Sequence, residues 1–203
     1  MDIIQSCAIN FAKLKKYKYH FVVSQNRKIK EIYVDFKESD FFHLAGLHYL
    51  KDISIPQNRK DILHNIIRKK KINDELLGKN KFYDLPQSDQ DVKTRIEELR
   101  FLEAYLDTDN HIKMFNVKNL KGISSLIDAE YMVESRLPDS RESVYIFLKK
   151  REQNIDRYCV VSFFKKNHIT YSGDALYWML KEKYMDTDWV TLYQHKNYSK
   201  KKK

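Results

Sequence analysis

A chain of 203 residues that is 42% hydrophobic and 13% aromatic can bury one sizeable core and is too apolar to stay disordered. Lysine and arginine outnumber aspartate and glutamate by 38 to 28, a formal charge of +10 that favours a polyanionic partner such as nucleic acid. Two distant cysteines, an N-terminus without a basic leader and no apolar run of roughly 20 residues argue against secretion and membrane insertion, so we expect a cytoplasmic protein.

The first half of the chain predicts helices around one hairpin. Apolar residues recur at helical spacing over residues 2–16. Residues 19–24 and 29–36 read as two strands joined by a polar turn, which predicts a β-hairpin. A helix over 39–51 and an amphipathic helix over 61–71 follow.

The second half predicts a sheet. After a turn-rich connection, a helix is predicted over 91–107, and the apolar period then changes from 3.6 to 2. Strands are predicted at 112–117, 126–134, 144–150 and 157–165, with a last strand or helix at 175–185. The pattern predicts an α+β fold in which N-terminal helices and a hairpin pack with an antiparallel meander sheet. We expect a single domain over 1–185 and a C-terminal extension over 186–203 that ends in a lysine tail.

The segment 39–51 is the leading candidate for the functional centre. It is apolar around nearly its whole circumference, yet it contains His43, Gly46, His48 and Lys51. On a continuous helix the two histidines are about 140° apart, so we expect them not to face one site or form a metal pair. A hydrogen-bonded core residue is the competing interpretation of each histidine. We select His43, because it lies next in angle to Gly46, where a ligand can approach the backbone.

Later strands supply further candidates. Glu130 belongs to a row of carboxylates on one strand face, which is either a general base or a solvated surface. Ser162 is a small hydroxyl within an otherwise apolar strand, and it can bind a phosphate or satisfy a backbone group. Cations along and beyond that strand suit an anion; they are Arg157, Lys165, Lys166 and His168. We identify no phosphate-binding glycine loop, dinucleotide fingerprint, serine elbow or zinc pattern, and expect neither a metal nor a cofactor.

The stretch Phe41-Phe-His-Leu-Ala-Gly-Leu-His-Tyr-Leu-Lys-Asp52 follows a predicted hairpin and precedes a later Ser162-Phe-Phe164. This combination resembles a phage-associated branch of the barnase–EndoU–colicin–RelE-like nucleases, from residue 2 to about 185. The resemblance implies an α+β nuclease-like fold and metal-independent RNA cleavage. In that chemistry a base activates the RNA 2′-hydroxyl and a cation stabilises the phosphorane. Carried over by position, His43 matches the motif histidine and Ser162 the late serine, while no arginine is matched.

We therefore predict a metal-independent endoribonuclease, either a toxin or a phage-type effector. His43 would be the acid or base, with Glu130 and Ser162 as catalytic partners. The phosphate-binding residues would be Lys51, Arg157, Lys165, Lys166 and His168. RNA is the expected substrate, and a cognate inhibitor protein is a further expected partner. The alternatives are a non-catalytic nucleic-acid-binding module and a protein-interaction or inhibitor protein that uses some of the 14 tyrosines.

Overall fold

The computed structural model describes residues 2–55, 61–85, 91–116, 126–152, 156–166, 170–185 and 187–199. Its architecture is α+β, as the sequence predicts. The helices are α1 (Ile3–Leu14), α2 (Glu38–Leu44), α3 (Ile62–Ile67), α4 (Asp74–Leu77), α5 (Val92–Leu99) and α6 (Leu102–Asp107), with a 3₁₀ turn at Leu47–Tyr49. The strands are β1 (Lys18–Gln25), β2 (Lys28–Val34), β3 (Asn110–Phe115), β4 (Tyr131–Ser135), β5 (Val144–Lys150), β6 (Arg157–Lys165), β7 (Gly173–Ala175), β8 (Tyr177–Met185) and β9 (Asp188–Gln194).

The strands form a single nine-stranded sheet in the order β7-β3-β4-β5-β6-β2-β1-β8-β9. Strands β3 to β6 are the predicted antiparallel meander. The sheet as a whole is mixed, because β2 and β6 pair in parallel, and this corrects the expected purely antiparallel arrangement. No tight turn joins β2 to β6, so nothing local requires them to run antiparallel. They pair at two positions, Tyr33 with Arg157 and Val34 with Tyr158.

The main core lies between the helices and one face of this sheet. Every apolar residue on one side of α1 is buried in it; these residues are Ile4, Cys7, Ala8, Phe11 and Leu14. Leu44 and Leu47 are also in this core, with exposed fractions of 0% and 1%. The other sheet face has a smaller aromatic cluster of Phe115, Met132, Tyr145, Phe147, Phe164 and Tyr171. Alternation along the strands separates the two cores, since Ile146 belongs to the first and Phe147 to the second.

Several predicted elements have different limits in the structure. The helix predicted at 91–107 is interrupted at Arg100 and Phe101, between α5 and α6. The strand predicted at 126–134 begins only at Tyr131. Within the segment predicted at 175–185, Tyr177–Met185 form strand β8 and Ala175 is the last residue of β7. Residues Asp188–Gln194, placed by the sequence in the extension, form β9 and pair with β8, while the division at residue 185 stays a prediction.

Candidate active site

Helix α2 is held at its N-terminal end by Arg151, which follows β5. Its guanidinium donates to both carboxylate oxygens of Asp40, with Nη1 at 3.2 Å and Nη2 at 2.6 Å, and it also pairs with Asp35. The Asp40 carboxylate accepts the backbone N–H of Lys37 at 2.8 Å, which caps the helix. Burial lowers the pKa of Arg151, but hydrogen bonds and charge interactions with these carboxylates raise it overall. Arg151 thus links the β5–β6 turn to the helix that contains His43.

The segment 39–51 is not one helix. α2 ends at Leu44, Gly46 adopts φ +73°, and the chain restarts as the 3₁₀ turn. This left-handed residue reverses the direction in which the following side chains project. The ring centroids of His43 and His48 are therefore 5.0 Å apart. The expectation that the two histidines face different sites, which assumed a continuous helix, is wrong.

A buried arginine completes the cluster. Arg95 on α5 is 5% exposed. Its guanidinium carbon lies 5.5 Å from the centre of the Tyr49 ring and 5.7 Å from that of Phe164, within the range of a cation–π contact. The Tyr49 ring is in turn 3.9 Å from the His48 ring. We call His43, His48, Tyr49, Arg95 and Phe164 the histidine–arginine cluster.

Gly46 is required for this packing as well as for the turn. A Cβ atom at Gly46 would lie 3.0 Å from Cδ and 3.3 Å from Nε of Arg95. Our sequence analysis did not select Arg95, although its position in the apolar pattern of α5 is unusual. Arg95 falls three residues after Val92 and directly before Ile96, on the buried side of an amphipathic helix where a leucine is expected. An arginine in such a position needs a structural or chemical reason.

The cluster lies beside the C-terminal half of β6. Beyond the two positions shared with β2, the described residues give β6 no strand partner on that side, and α2 and α5 pack against it. The ladder between β5 and β6 is shifted by a bulge, after which Ser162 pairs with Phe147. Ser162 therefore shares a sheet face with Phe147 and with Phe164, two residues further along. The predicted serine is thus a strand neighbour of a ring that contacts Arg95.

Comparison with protein-family models matches residues 3–202 to the phage-Barnase-EndoU-ColicinE5/D-RelE like nuclease 4 family. This match covers nearly the whole chain. The chain belongs to this family of nucleases. The family match confirms the resemblance seen in the residues of the motif. No curated protein and no solved structure matches the chain.

Other residues predicted for this nuclease lie outside the cluster. Glu130 accepts from the Tyr158 hydroxyl and from the backbone N–H of Lys150, both at 3.4 Å. Tyr158 is near the start of β6, about 20 Å along the strand from Phe164. These two contacts of Glu130 are therefore at the far end of β6 from the cluster.

The predicted phosphate-binding cations are dispersed. Lys165 pairs with Glu142, and Lys166 donates to Glu134 at 2.7 Å. The hydrogen bond to Glu134 raises the pKa of Lys166. Lys51 is exposed directly after the 3₁₀ turn, Arg157 is exposed at the start of β6, and His168 lies outside the described residues. Lys165 directly follows Phe164 of the cluster but is paired with Glu142, and Lys51 follows Tyr49 by two residues and is exposed.

The structure also bears on two further expectations about the nuclease. Within the described ranges, no group of three or more histidine, cysteine, aspartate or glutamate side chains could hold a metal ion. The same part of the chain has no helix that is both long and apolar enough to cross a membrane.

Proposed function

We propose that this nuclease is a metal-independent endoribonuclease in which His43 and His48 are the acid–base pair. The observation that supports the proposal is the 5.0 Å separation of the two imidazole rings, in a cluster whose Tyr49 ring contacts both His48 and the buried Arg95. We prefer His48 to Glu130 as the partner of His43, since Glu130 accepts hydrogen bonds from Tyr158 and Lys150, at the other end of β6.

The reaction needs one proton acceptor and one proton donor. His43, the more exposed of the two, removes the proton from a ribose 2′-hydroxyl, and the oxygen attacks the adjacent phosphorus. The bond from phosphorus to the 5′-oxygen breaks, and His48 in its protonated form gives that oxygen a proton. The products are a 2′,3′-cyclic phosphate and a 5′-hydroxyl. After the step His43 is protonated and His48 is neutral, the reverse of their starting states.

Arg95 supplies a positive charge for this step. Because its side chain is buried between two rings, its field is screened by water less than that of a surface lysine. A fixed charge beside the histidines favours the phosphorane, which is more negative than the ground state. In the same proposal Ser162 and Lys51 hydrogen-bond the phosphate oxygens. RNA as the substrate and an inhibitor protein as a partner belong to this proposal.

The test is incubation of the purified protein with total RNA in EDTA, beside His43→Ala, His48→Ala and Arg95→Lys. We expect each histidine variant to lower the cleavage rate by about 10²–10⁴-fold. Arg95→Lys keeps the charge but not the planar guanidinium, so a clear loss of rate is expected there too. His111→Ala is the matched control, since His111 is an exposed histidine on β3.

Product analysis separates this proposal from its alternatives. Fragments that end in a 2′,3′-cyclic phosphate support it. Cleavage that EDTA abolishes, or that survives both histidine substitutions, overturns it. Salt-dependent RNA binding without turnover would favour the non-catalytic binding module instead.

A further inference from the structure

An open groove between α1 and α3 is lined by more cations than anions. It has a cavity volume of about 410 Å³. Its floor is aliphatic and consists of Ile9, Ala12, Leu63 and Ile67. Four cations also line the groove, Lys13, Lys15, Lys16 and Arg68, together with His64.

The charge of this groove is strongly unbalanced. Glu38, the acidic residue that lines it, is paired with Lys15 at 2.9 Å. Lys13, Lys16 and Arg68 are exposed, and the exposed run Lys69, Lys70 and Lys71 continues from the end of α3. Cations at the C-terminal end of a helix are stabilised by the helix dipole, which explains one or two of these residues. That preference does not explain why two helices direct their cations to the two sides of one groove.

We propose that this groove binds the phosphate backbone of an RNA strand outside the catalytic cluster. Lys16 follows Lys13 by three residues, just past the end of α1, and Arg68 follows His64 by four residues, at the end of α3. The backbone positions in each pair are therefore about 4.5–6 Å apart along the helix axis. No phenylalanine, tyrosine or tryptophan is among the residues that line the groove, so His64 is the single ring it offers for base stacking and charge dominates its lining. It therefore binds the strand through charge, without selecting its sequence. This inference rests on the proposed function, because it assumes an RNA substrate.

The groove and the cluster adjoin different sides of α2. Glu38 at the groove and His43 are both on α2, five residues or about 7.5 Å apart along the helix axis. They are about 140° apart around that axis, so the strand has to pass around α2 to reach the histidines. A substrate of several nucleotides can then occupy both places, whereas a dinucleotide occupies the cluster alone.

The experiment uses an uncleavable 2′-O-methyl RNA of 20 nucleotides and measures its affinity by fluorescence anisotropy between about 50 and 200 mM salt. The test variant is Lys13→Ala/Lys16→Ala/Arg68→Ala. The matched control, Lys28→Ala/Lys30→Ala/Lys79→Ala, removes three exposed lysines elsewhere. We expect Kd to rise at least about tenfold in the groove variant, with the log–log salt slope reduced by about 2, and to change much less in the control.

Cleavage assays distinguish a failure of this inference from a failure of the proposed function. If the protein cleaves RNA, the groove variant should raise KM for long RNA and leave dinucleotide cleavage unchanged. If it does not cleave, the 2′-O-methyl strand still reports binding. Equal RNA affinity in the groove variant and the wild type overturns the inference and leaves an acidic protein as the candidate occupant. Equal losses in the groove variant and the control also overturn it, because the charge effect would then be general.

Discussion

At the scale of single residues, Gly46 decides whether the two histidines meet. From the sequence, a helix over 39–51 separates them by about 140°. The glycine is visible in that sequence, but its φ of +73° depends on how α2 and the 3₁₀ turn pack around Arg95, which lies about 50 residues away. The choice of His43 stays a prediction. The sequence does not place His48 beside it, because one backbone angle changes every side-chain direction after it.

Gly46→Ala should therefore impair the site and the fold together. The left-handed backbone costs an alanine about 1–2 kcal/mol, and the new methyl group would press on Arg95 at 3.0 Å. Gly78→Ala is the matched control: its Cβ would meet the Asp74 carbonyl oxygen at 3.1 Å, but φ there is −64°. Urea unfolding and RNA cleavage of both variants check this. Equal effects of the two substitutions on stability would show that the left-handed backbone is not the source of the cost.

Lys181 gives a pH-dependent prediction. It is 3% exposed and donates to the Thr108 carbonyl at 2.7 Å, and burial lowers its pKa to about 8. Between this value and about 10.5 the unfolded chain holds a proton that the folded chain has lost, so this group's contribution to stability rises with pH. The free energy of unfolding of the wild type, minus that of Lys181→Met, should therefore increase from pH 7.5 to 9.5 by up to about 2 kcal/mol.

Lys183→Met is the control for that measurement. Burial lowers the pKa of Lys183, but Asp107 and Glu103 raise it overall, above its usual value of 10.5. Its contribution to stability is present below 10.5 and is lost only as the pH passes the raised pKa. The corresponding difference should stay flat between pH 7.5 and 9.5. A flat difference for Lys181→Met as well would contradict the lowered pKa.

At the scale of elements, periodicity located most of the helices and strands but not their ends. The helix predicted over 2–16 agrees closely with α1, and the strands predicted at 144–150 and 157–165 have the limits of β5 and β6. Their apolar patterns are long and regular. Other limits depend on tertiary contacts. Tyr131 starts β4 where its neighbours β3 and β5 are both present, and no local signal in 126–134 marks that position.

The link between α2 and the β5–β6 turn is an element-scale prediction. Arg151→Ala should destabilise the protein by about 2–4 kcal/mol, because two carboxylates whose side chains are 12% and 24% exposed lose their cationic partner. Cleavage should fall as well, since Asp40 precedes His43 by less than one helical turn. Lys79→Ala is the control, because its pair with Glu75 is exposed on both sides and should cost less than about 0.5 kcal/mol. Urea unfolding measures both variants, and equal stabilities would contradict the structural role of Arg151.

At the scale of the whole molecule, the sheet consists of two antiparallel groups that meet at a short parallel contact. Strands β7 and β3 to β6 form one group, and β2, β1, β8 and β9 form the other. The contact between them spans two residue pairs, but both groups contribute side chains to one core under the helices. The sequence predicts the hairpin of β1 and β2 and the meander of β3 to β6, but not β7, β9 or the pairing of β8 with β1. It does not predict the junction either, because β2 and β6 are separated by more than 120 residues and no turn sets their register.

If the shared core makes the two groups one cooperative unit, a substitution that destabilises one group should lower the urea midpoint of the other by the same amount. Phe163 on β6 is fully buried and packs against Tyr105, so Phe163→Ala should cost about 3–5 kcal/mol. The chain has two tryptophans, and both are in the other group: Trp178 is on β8 and Trp189 is on β9. Tryptophan fluorescence and far-ultraviolet circular dichroism should therefore report the same lowered urea midpoint for Phe163→Ala. Val190→Ala, at an exposed edge position, is the control and should shift it little. An unchanged fluorescence midpoint in Phe163→Ala would mean that the two groups unfold separately.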